Sequence, residues 1–230
     1  MGNGVIRIVS CTRGQFVGTE LYKSLSRFTH LPFFKVQVFE NNTKGLSYCY
    51  NRAIESAGDE ILVFVHDDME ITDHWWFKHI DAGLQQWDMI GVAGNAKRVH
   101  GQLSWAVADK TGRLINQQHW SGAVEQPGGW GLYSEPWKSV ELIDGCLMAA
   151  RAKTFIENNI RFDEQFEFHH YDVDISRQFR EKDLTIGVVG LSTVHHSQNK
   201  LDALWLKSCD QYLNKWGETN EESIDRHAVA

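Results

Sequence analysis

Apolar runs and amphipathic stretches alternate along the first ninety residues. Residues 5–11 (VIRIVSC), 34–40 (FKVQVFE) and 60–65 (EILVFV) are short and rich in β-branched and aromatic side chains, which predicts strands. Between them, 19–28 (TELYKSLSRF) sets Leu21, Leu25 and Phe28 on one helical face, and 46–58 (LSYCYNRAIESAG) reads as a helix closed by Gly58. The run at 60–65 is apolar on both faces, as in the middle of a parallel sheet. Strand, helix, strand, helix, strand is how a doubly wound α/β chain opens. A Trp-rich helix over 73–87 and a strand over 89–94 continue the pattern.

The rhythm breaks at 95–137, where DKTG reads as a turn between two short strands and Gly128, Gly129 and Gly131 punctuate a loop carrying Trp130 and Trp137. This stretch is expected to be an insertion over one face. Regular structure resumes at 140–155, followed by a helix from about Asp172 to Lys182, a strand at 185–189 and a helix at 201–216. One domain over 1–217 and a polar tail over 218–230 are expected.

Composition narrows the partners. A formal charge of -7 repels polyanions, so nucleic acid is not expected as a ligand. Cys11, Cys49, Cys146 and Cys209 are far apart and form no CxxC pair, which predicts reduced, buried thiols and a cytoplasmic protein. No stretch reaches the ~20 apolar residues that span a bilayer. The last helix is a candidate for a homodimer or membrane-edge contact rather than core.

Chemistry collects where strands end. In a doubly wound sheet, ligands bind beyond the carboxyl ends of the strands. Glu40, Asn41 and Asn42 follow the second predicted strand, His66, Asp67 and Asp68 the third, and His195 and His196 the last. Carboxylates with a histidine suit Mg2+ or Mn2+, ions that keep waters and bridge substrate phosphates. No Walker-type loop and no GxGxxG is present, so a bound diphosphate would depend on the metal.

The segment AIESAGDEILVFVHDDMEI resembles the centre of the family 2 glycosyltransferases, whose strand ends in Asp-x-Asp, and within them the subgroup similar to streptomycin-biosynthesis glycosyltransferase-like proteins. The likeness continues through YNRAI, VELIDGCLMAARAKTF and RFDEQFEFHHYDVDISRQFREKDLTIGVVG. It implies an α/β GT-A fold, Rossmann-like, with a mostly parallel central sheet and helices on both faces. It further implies a nucleotide-diphosphate sugar donor, a carbohydrate or glycosylated acceptor, Mn2+ or Mg2+, and inversion at the anomeric carbon. Carried onto this chain, Asp68 is the metal-coordinating last Asp, and His195 or His196 matches a late histidine that completes the metal site. Glu40, Asn41, His66 and Asp67 are the nucleotide-sugar contacts. His66 replaces the first Asp and cannot accept two ribose hydroxyls as a carboxylate does, which passes that task to Asp67. Tyr171 stands where the family has Glu before the catalytic Asp, so Asp172 inherits the role of general base, the alternative being a helix N-cap. Asp144, Trp130 and Trp137 are expected on the acceptor side, the tryptophans as a platform or lid.

Two other readings compete. Eleven histidines, with doublets at His169-His170 and His195-His196, suggest a metal-dependent hydrolase, although no His-x-His or HExxH occurs. The altered first Asp and missing Glu suggest a non-catalytic sugar-binding module.

Overall fold

A computed structural model describes residues 5–127, 129–197 and 201–219. The expected polar tail lies outside these from residue 220 onward, as do Gly128 and the side chain of Trp130. The strands are β1 (Ile6–Cys11), β2 (Phe34–Phe39), β3 (Ile61–Val65), β4 (Met69–Ile71), β5 (Met89–Gly91), β6 (Ala93–Asn95), β7 (Trp120–Gln126), β8 (Gly129–Ser134), β9 (Lys138–Ser139), β10 (Leu142–Ile143), β11 (Leu147–Arg151), β12 (Ile186–Val188) and β13 (Thr193–His195). The helices are α1 (Glu20–Leu25), α2 (Leu46–Glu55), α3 (Trp76–Gly83), α4 (Ala152–Glu157), α5 (Tyr171–Glu181) and α6 (Ala203–Trp216).

Seven strands form the main sheet in the order β2-β1-β3-β11-β5-β12-β9. β1 pairs in parallel with β2 and β3, and β12 with β5, as the alternation of strands and helices predicts. The sheet is nonetheless mixed, because β11 runs antiparallel between β3 and β5. β3 occupies the interior and buries all five of its residues, as its two-sided apolarity requires. α2 lies against it through Leu46, Cys49, Tyr50, Ala53 and Ile54, an i, i+3, i+4, i+7, i+8 stripe, with Tyr50 packed on Phe64 and Phe162. Buried Arg7 on β1 is held by Glu60 and by the Ser56 hydroxyl.

The apolar run at 89–94 is two strands rather than one. The chain leaves the main sheet at Val92 and enters a second sheet, ordered β10-β6-β7-β13-β4, with β8 on β7. Gly122, at φ +95°, permits this crossing, since a Cβ there would lie 2.0 Å from the Val92 carbonyl oxygen. The expected Gly-rich loop is also partly regular, because Gly129–Ser134 is β8, paired antiparallel with β7. The DKTG turn is present, with Asp109 capping it through Thr111, but in place of two short strands a single antiparallel bridge joins Val107 and Leu114.

α6 starts at Asp202, whose carboxylate accepts from the Leu204 and Trp205 amides, and stops at left-handed Gly217. Its Lys215 and Trp216 reach the fully buried carboxylate of Asp174 on α5. All four cysteines are buried and unpaired. Among the described residues, no helix is long and apolar enough to cross a membrane.

Candidate functional site

The carboxyl end of β3 is where the chain's polar groups converge. The His66 amide donates to the Cys146 carbonyl, the Met69 amide donates back to the His66 carbonyl, and the Asp67-Asp68 turn returns the chain as β4. β4 pairs antiparallel with β13 in a register that sets His195 opposite Met69. Successive side chains on a strand point to opposite faces. His195 therefore turns inward to His66 and Asp68, while His196 turns outward to Glu70 and Glu20.

Three atoms meet on the inward side. His195 Nε2 lies 3.3 Å from Asp68 Oδ1 and 3.4 Å from His66 Nδ1, and His66 Nδ1 lies 3.9 Å from Asp68 Oδ1. A circle through these three points, from the three separations, has a radius of about 2.1 Å, the bond length of Mg2+ to oxygen or of a small divalent ion to imidazole. Asp68 Oδ1 is buried and accepts no hydrogen bond, so a lone pair is available there. Two imidazoles and a carboxylate suit a borderline divalent ion, and the residues fit one.

His66 does more than replace a carboxylate. The Tyr171 hydroxyl donates to the Gly145 carbonyl at 2.9 Å, so its oxygen accepts from His66 Nε2–H at 2.6 Å. That bond puts the His66 proton on Nε2 and turns the Nδ1 lone pair toward Asp68 and His195, the outer support usual for a metal-binding histidine. Burial, and then the neighbouring His195, hold His66 below the usual imidazole range, keeping it neutral. Burial works against charge on His195, but Asp68 and Asp144 outweigh it and raise its pKa. Burial also raises Asp68, and the two histidines more than reverse this.

Asp172 stands on the other side of Tyr171, as the second residue of α5. It is not the N-cap, a position held by left-handed His170. Its Oδ2 accepts from the Gly145 amide at 3.0 Å, and its Oδ1 from the Val173 amide at 2.9 Å. Burial, then the charge of Asp144, push its pKa from 3.8 up to about 7. Gly145 is required for this packing: a Cβ there would lie 2.2 Å from the Tyr171 hydroxyl and 2.9 Å from Asp172 Cβ. Asp174 is sealed beneath the surface by Lys215, Gln178 and Trp216.

The two triad histidines, Tyr171 and Asp172 line one cleft of about 1190 Å³, larger than the ~300–1,000 Å³ of most small-molecule sites and roomy enough for two substrates. His66, Asp67, Asp144, Asp172 and His195 all face it. Arg13 and Lys44 line the end nearest β1 and β2. Glu40 is placed differently from expectation, because its carboxylate caps the Phe16 amide at 2.6 Å. Asn41 turns the adjacent loop at φ 48°. Trp137 lies away from the cleft, against Trp87 and His79. Trp105, Trp120 and Tyr133 do line the cleft, and pattern reading did not single them out. Their positions share no periodicity, and only the β7–β8 pairing and the loop before it bring them together. The part played by Tyr171 was likewise missed.

Comparison with known proteins identifies a family and a fold. The model of a family described as "Glycosyltransferase like family" matches residues 21–223. Among solved structures, GalNAc-T7 crystallised with UDP, GalNAc and Mn2+ is similar with a TM-score of 0.54 at 10% identity, over 91% of this chain and 47% of that one. The 1–349 fragment of S. aureus TarS is similar with a TM-score of 0.48 at 13% identity, over 84% of this chain and 60% of that one. The chain thus spans about half the length of the GalNAc-T7 chain. No curated protein sequence matches it. The likeness to GalNAc-T7 identifies the fold as GT-A.

Proposed function

We infer, since this chain belongs to the glycosyltransferase-like family, that it moves a sugar from a nucleotide-diphosphate donor to an acceptor hydroxyl with inversion, using a divalent cation. The observation that carries the reading is the placement of two chemically different groups on either side of Tyr171 in one cleft. On one side is a ligand triad of His66, Asp68 and His195; on the other is a carboxylate poised near neutrality.

His66 Nδ1, Asp68 Oδ1 and His195 Nε2 would hold Mn2+ or Mg2+, which when bound neutralises charge on the departing diphosphate. Arg13 and Lys44 give the same end of the cleft two cations for phosphate oxygens. Asp67, beside the triad, is the carboxylate available to the ribose hydroxyls. Asp172 takes the proton of the attacking hydroxyl. Its pKa near 7 makes it a far stronger base than an ordinary Asp while leaving it ionised in part at neutral pH. Asp144 lies close enough to raise that pKa, and we take it to work with Asp172 on the acceptor side. The Tyr171–Gly145 hydrogen bond keeps base and triad in register, so attack and departure occur on opposite faces of the anomeric carbon.

Incubation with a set of nucleotide sugars and Mn2+, followed by measurement of released nucleoside diphosphate, tests the reading. Slow release from at least one donor, stopped by EDTA, is expected. Donor binding without release would favour a sugar-binding module, and cleavage of unrelated esters a hydrolase.

A further inference from the structure

Two of the four thiols differ from the others in where they lie. Cys146 and Cys209 are fully buried and off the cleft lining, and burial holds both above the usual thiol range, Cys209 at about 12. Cys11 instead ends β1 in the wall of the cleft, beside Thr12, Arg13 and Asn42, and is 8% exposed. Cys49 lies on the buried stripe of α2, 1% exposed. The two side chains meet, the Cys11 thiol donating to the Cys49 sulfur. A second path of bonds closes around the pair. The Asn42 side chain also donates to Cys49, while the Asn42 amide donates at 2.9 Å to the carbonyl of Thr12, next to Cys11.

This pairing divides the work between the two sulfurs. The hydrogen bond from Cys11 is the largest influence on Cys49 and, with that from Asn42, it outweighs burial and lowers the Cys49 pKa. The same bond raises Cys11, which stays a thiol. A thiolate is the reactive form of cysteine, and a second thiol in contact resolves its first oxidation product before that goes further. Cys11 opens this pair to the cleft, whereas Cys146 and Cys209 have neither an exposed face nor a donor that favours the thiolate.

We propose that Cys11 and Cys49 are a redox-sensitive dithiol, which a small hydroperoxide entering the cleft oxidises to a disulfide that loosens the 42–45 loop. The Cys49 thiolate attacks one peroxide oxygen and the O–O bond breaks; Cys49 becomes a sulfenic acid, and the other oxygen leaves as hydroxide and takes up a proton as water. Cys11 then attacks the sulfenic sulfur, the S–S bond forms, and the displaced hydroxide leaves with the Cys11 proton as a second water. Two thiols give up two electrons and one peroxide accepts them. Asn42 organises the loop, its Oδ1 accepting from the Lys44 amide at 2.9 Å and its Nδ2 donating to the Lys44 carbonyl at 2.7 Å. Within a disulfide, Cys49 can no longer carry the negative charge that Asn42 stabilises, and the loop loses that anchor. Lys44 lies on the cleft lining, so the loosening reaches the end assigned above to phosphate. That last consequence rests on the transferase reading; the dithiol does not.

The test treats the intact, metal-free chain with hydrogen peroxide, blocks the remaining thiols by alkylation and maps the peptides without reduction. One disulfide should join Cys11 to Cys49, dithiothreitol should reverse it, and Cys146 and Cys209 should stay free to alkylate. Hydrogen exchange at the Asn42 and Lys44 amides should quicken tenfold or more in the oxidised chain, while Cys49→Ala should form no link and keep its exchange rates under peroxide. After peroxide is removed, affinity for a nucleoside diphosphate with Mn2+ should fall tenfold or more and return on reduction. Absence of the link in the wild type, oxidation of Cys146 or Cys209 as fast as the pair, or a link that leaves these amides unchanged overturns the proposal. A link with faster exchange in a protein that binds no nucleotide even when reduced supports the dithiol and counts against the transferase reading.

Discussion

Asp172→Asn should separate catalysis from stability, because the two respond with opposite signs. In the folded chain this carboxyl titrates near 7, against 3.8 ordinarily. At ~1.36 kcal/mol per pKa unit, ionising it in place costs at most roughly 4 kcal/mol relative to the unfolded chain. The side chain keeps some contact with water, so about 1–2 kcal/mol is the working figure. The unfolded chain ionises first as pH rises. It therefore binds fewer protons than the folded chain between pH 4 and 7, and the wild type loses stability across that window. Above pH 7 the loss is complete. Asn carries no charge and retains an oxygen for the Gly145 amide, so the variant should match the wild type near pH 4 and exceed it by about 1–2 kcal/mol at pH 8. Urea denaturation of the metal-free protein at pH 4, 6 and 8 measures this difference. Transfer should fall by roughly 10²- to 10⁴-fold, the usual worth of a positioned base, and wild-type kcat/KM should rise with pH and level off above about 7. A variant that is less stable at pH 8, or that transfers at near wild-type rate, would refute the assignment.

Other outcomes follow from the same geometry. Alanine at His195 should weaken Mn2+ binding by calorimetry at least tenfold, whereas His196→Ala should leave it unchanged, since that ring faces Glu70 on the opposite side of β13. Gly145→Ala should lower both melting temperature and transfer, because the added methyl meets the Tyr171 hydroxyl and Asp172 Cβ inside van der Waals distance. Asp174→Ala should cost about 1–3 kcal/mol in chemical denaturation, because Trp216 Nε1 and Gln178 lose a buried acceptor while Lys215 keeps Asp163, and should leave metal affinity intact.

How much of this was legible in the sequence depended on how local the cause was. The two-sided apolarity of residues 61–65 located the interior strand, and the break to His66, Asp67 and Asp68 marked the end where polar groups gather. Strand alternation alone separated His195 from His196, which the two faces of β13 reproduce. The antiparallel β11 was not legible, because LMAAR carries no signal of direction and its placement depends on the turn at Asp144–Cys146. The break at Val92 lay hidden for a similar reason, as a continuous apolar run does not reveal that its halves serve different sheets. Tyr171 read as a lost acid because its partner, His66, lies 105 residues away. Trp137, on a left-handed residue next to Trp87, shows the converse error: proximity to glycines in sequence said nothing about the cleft.

The claim beneath all of this is that His66, Asp68 and His195 together hold a divalent cation, with His66 presented through Nδ1. Pulsed electron paramagnetic resonance of the Mn2+-loaded protein, prepared with ordinary and with 15N-labelled histidine, measures it directly. Two imidazole nitrogens should couple to the metal in the wild type, one in His195→Ala, and two in His196→Ala. A spectrum without histidine nitrogen coupling, or one that His195→Ala leaves unchanged, would contradict it.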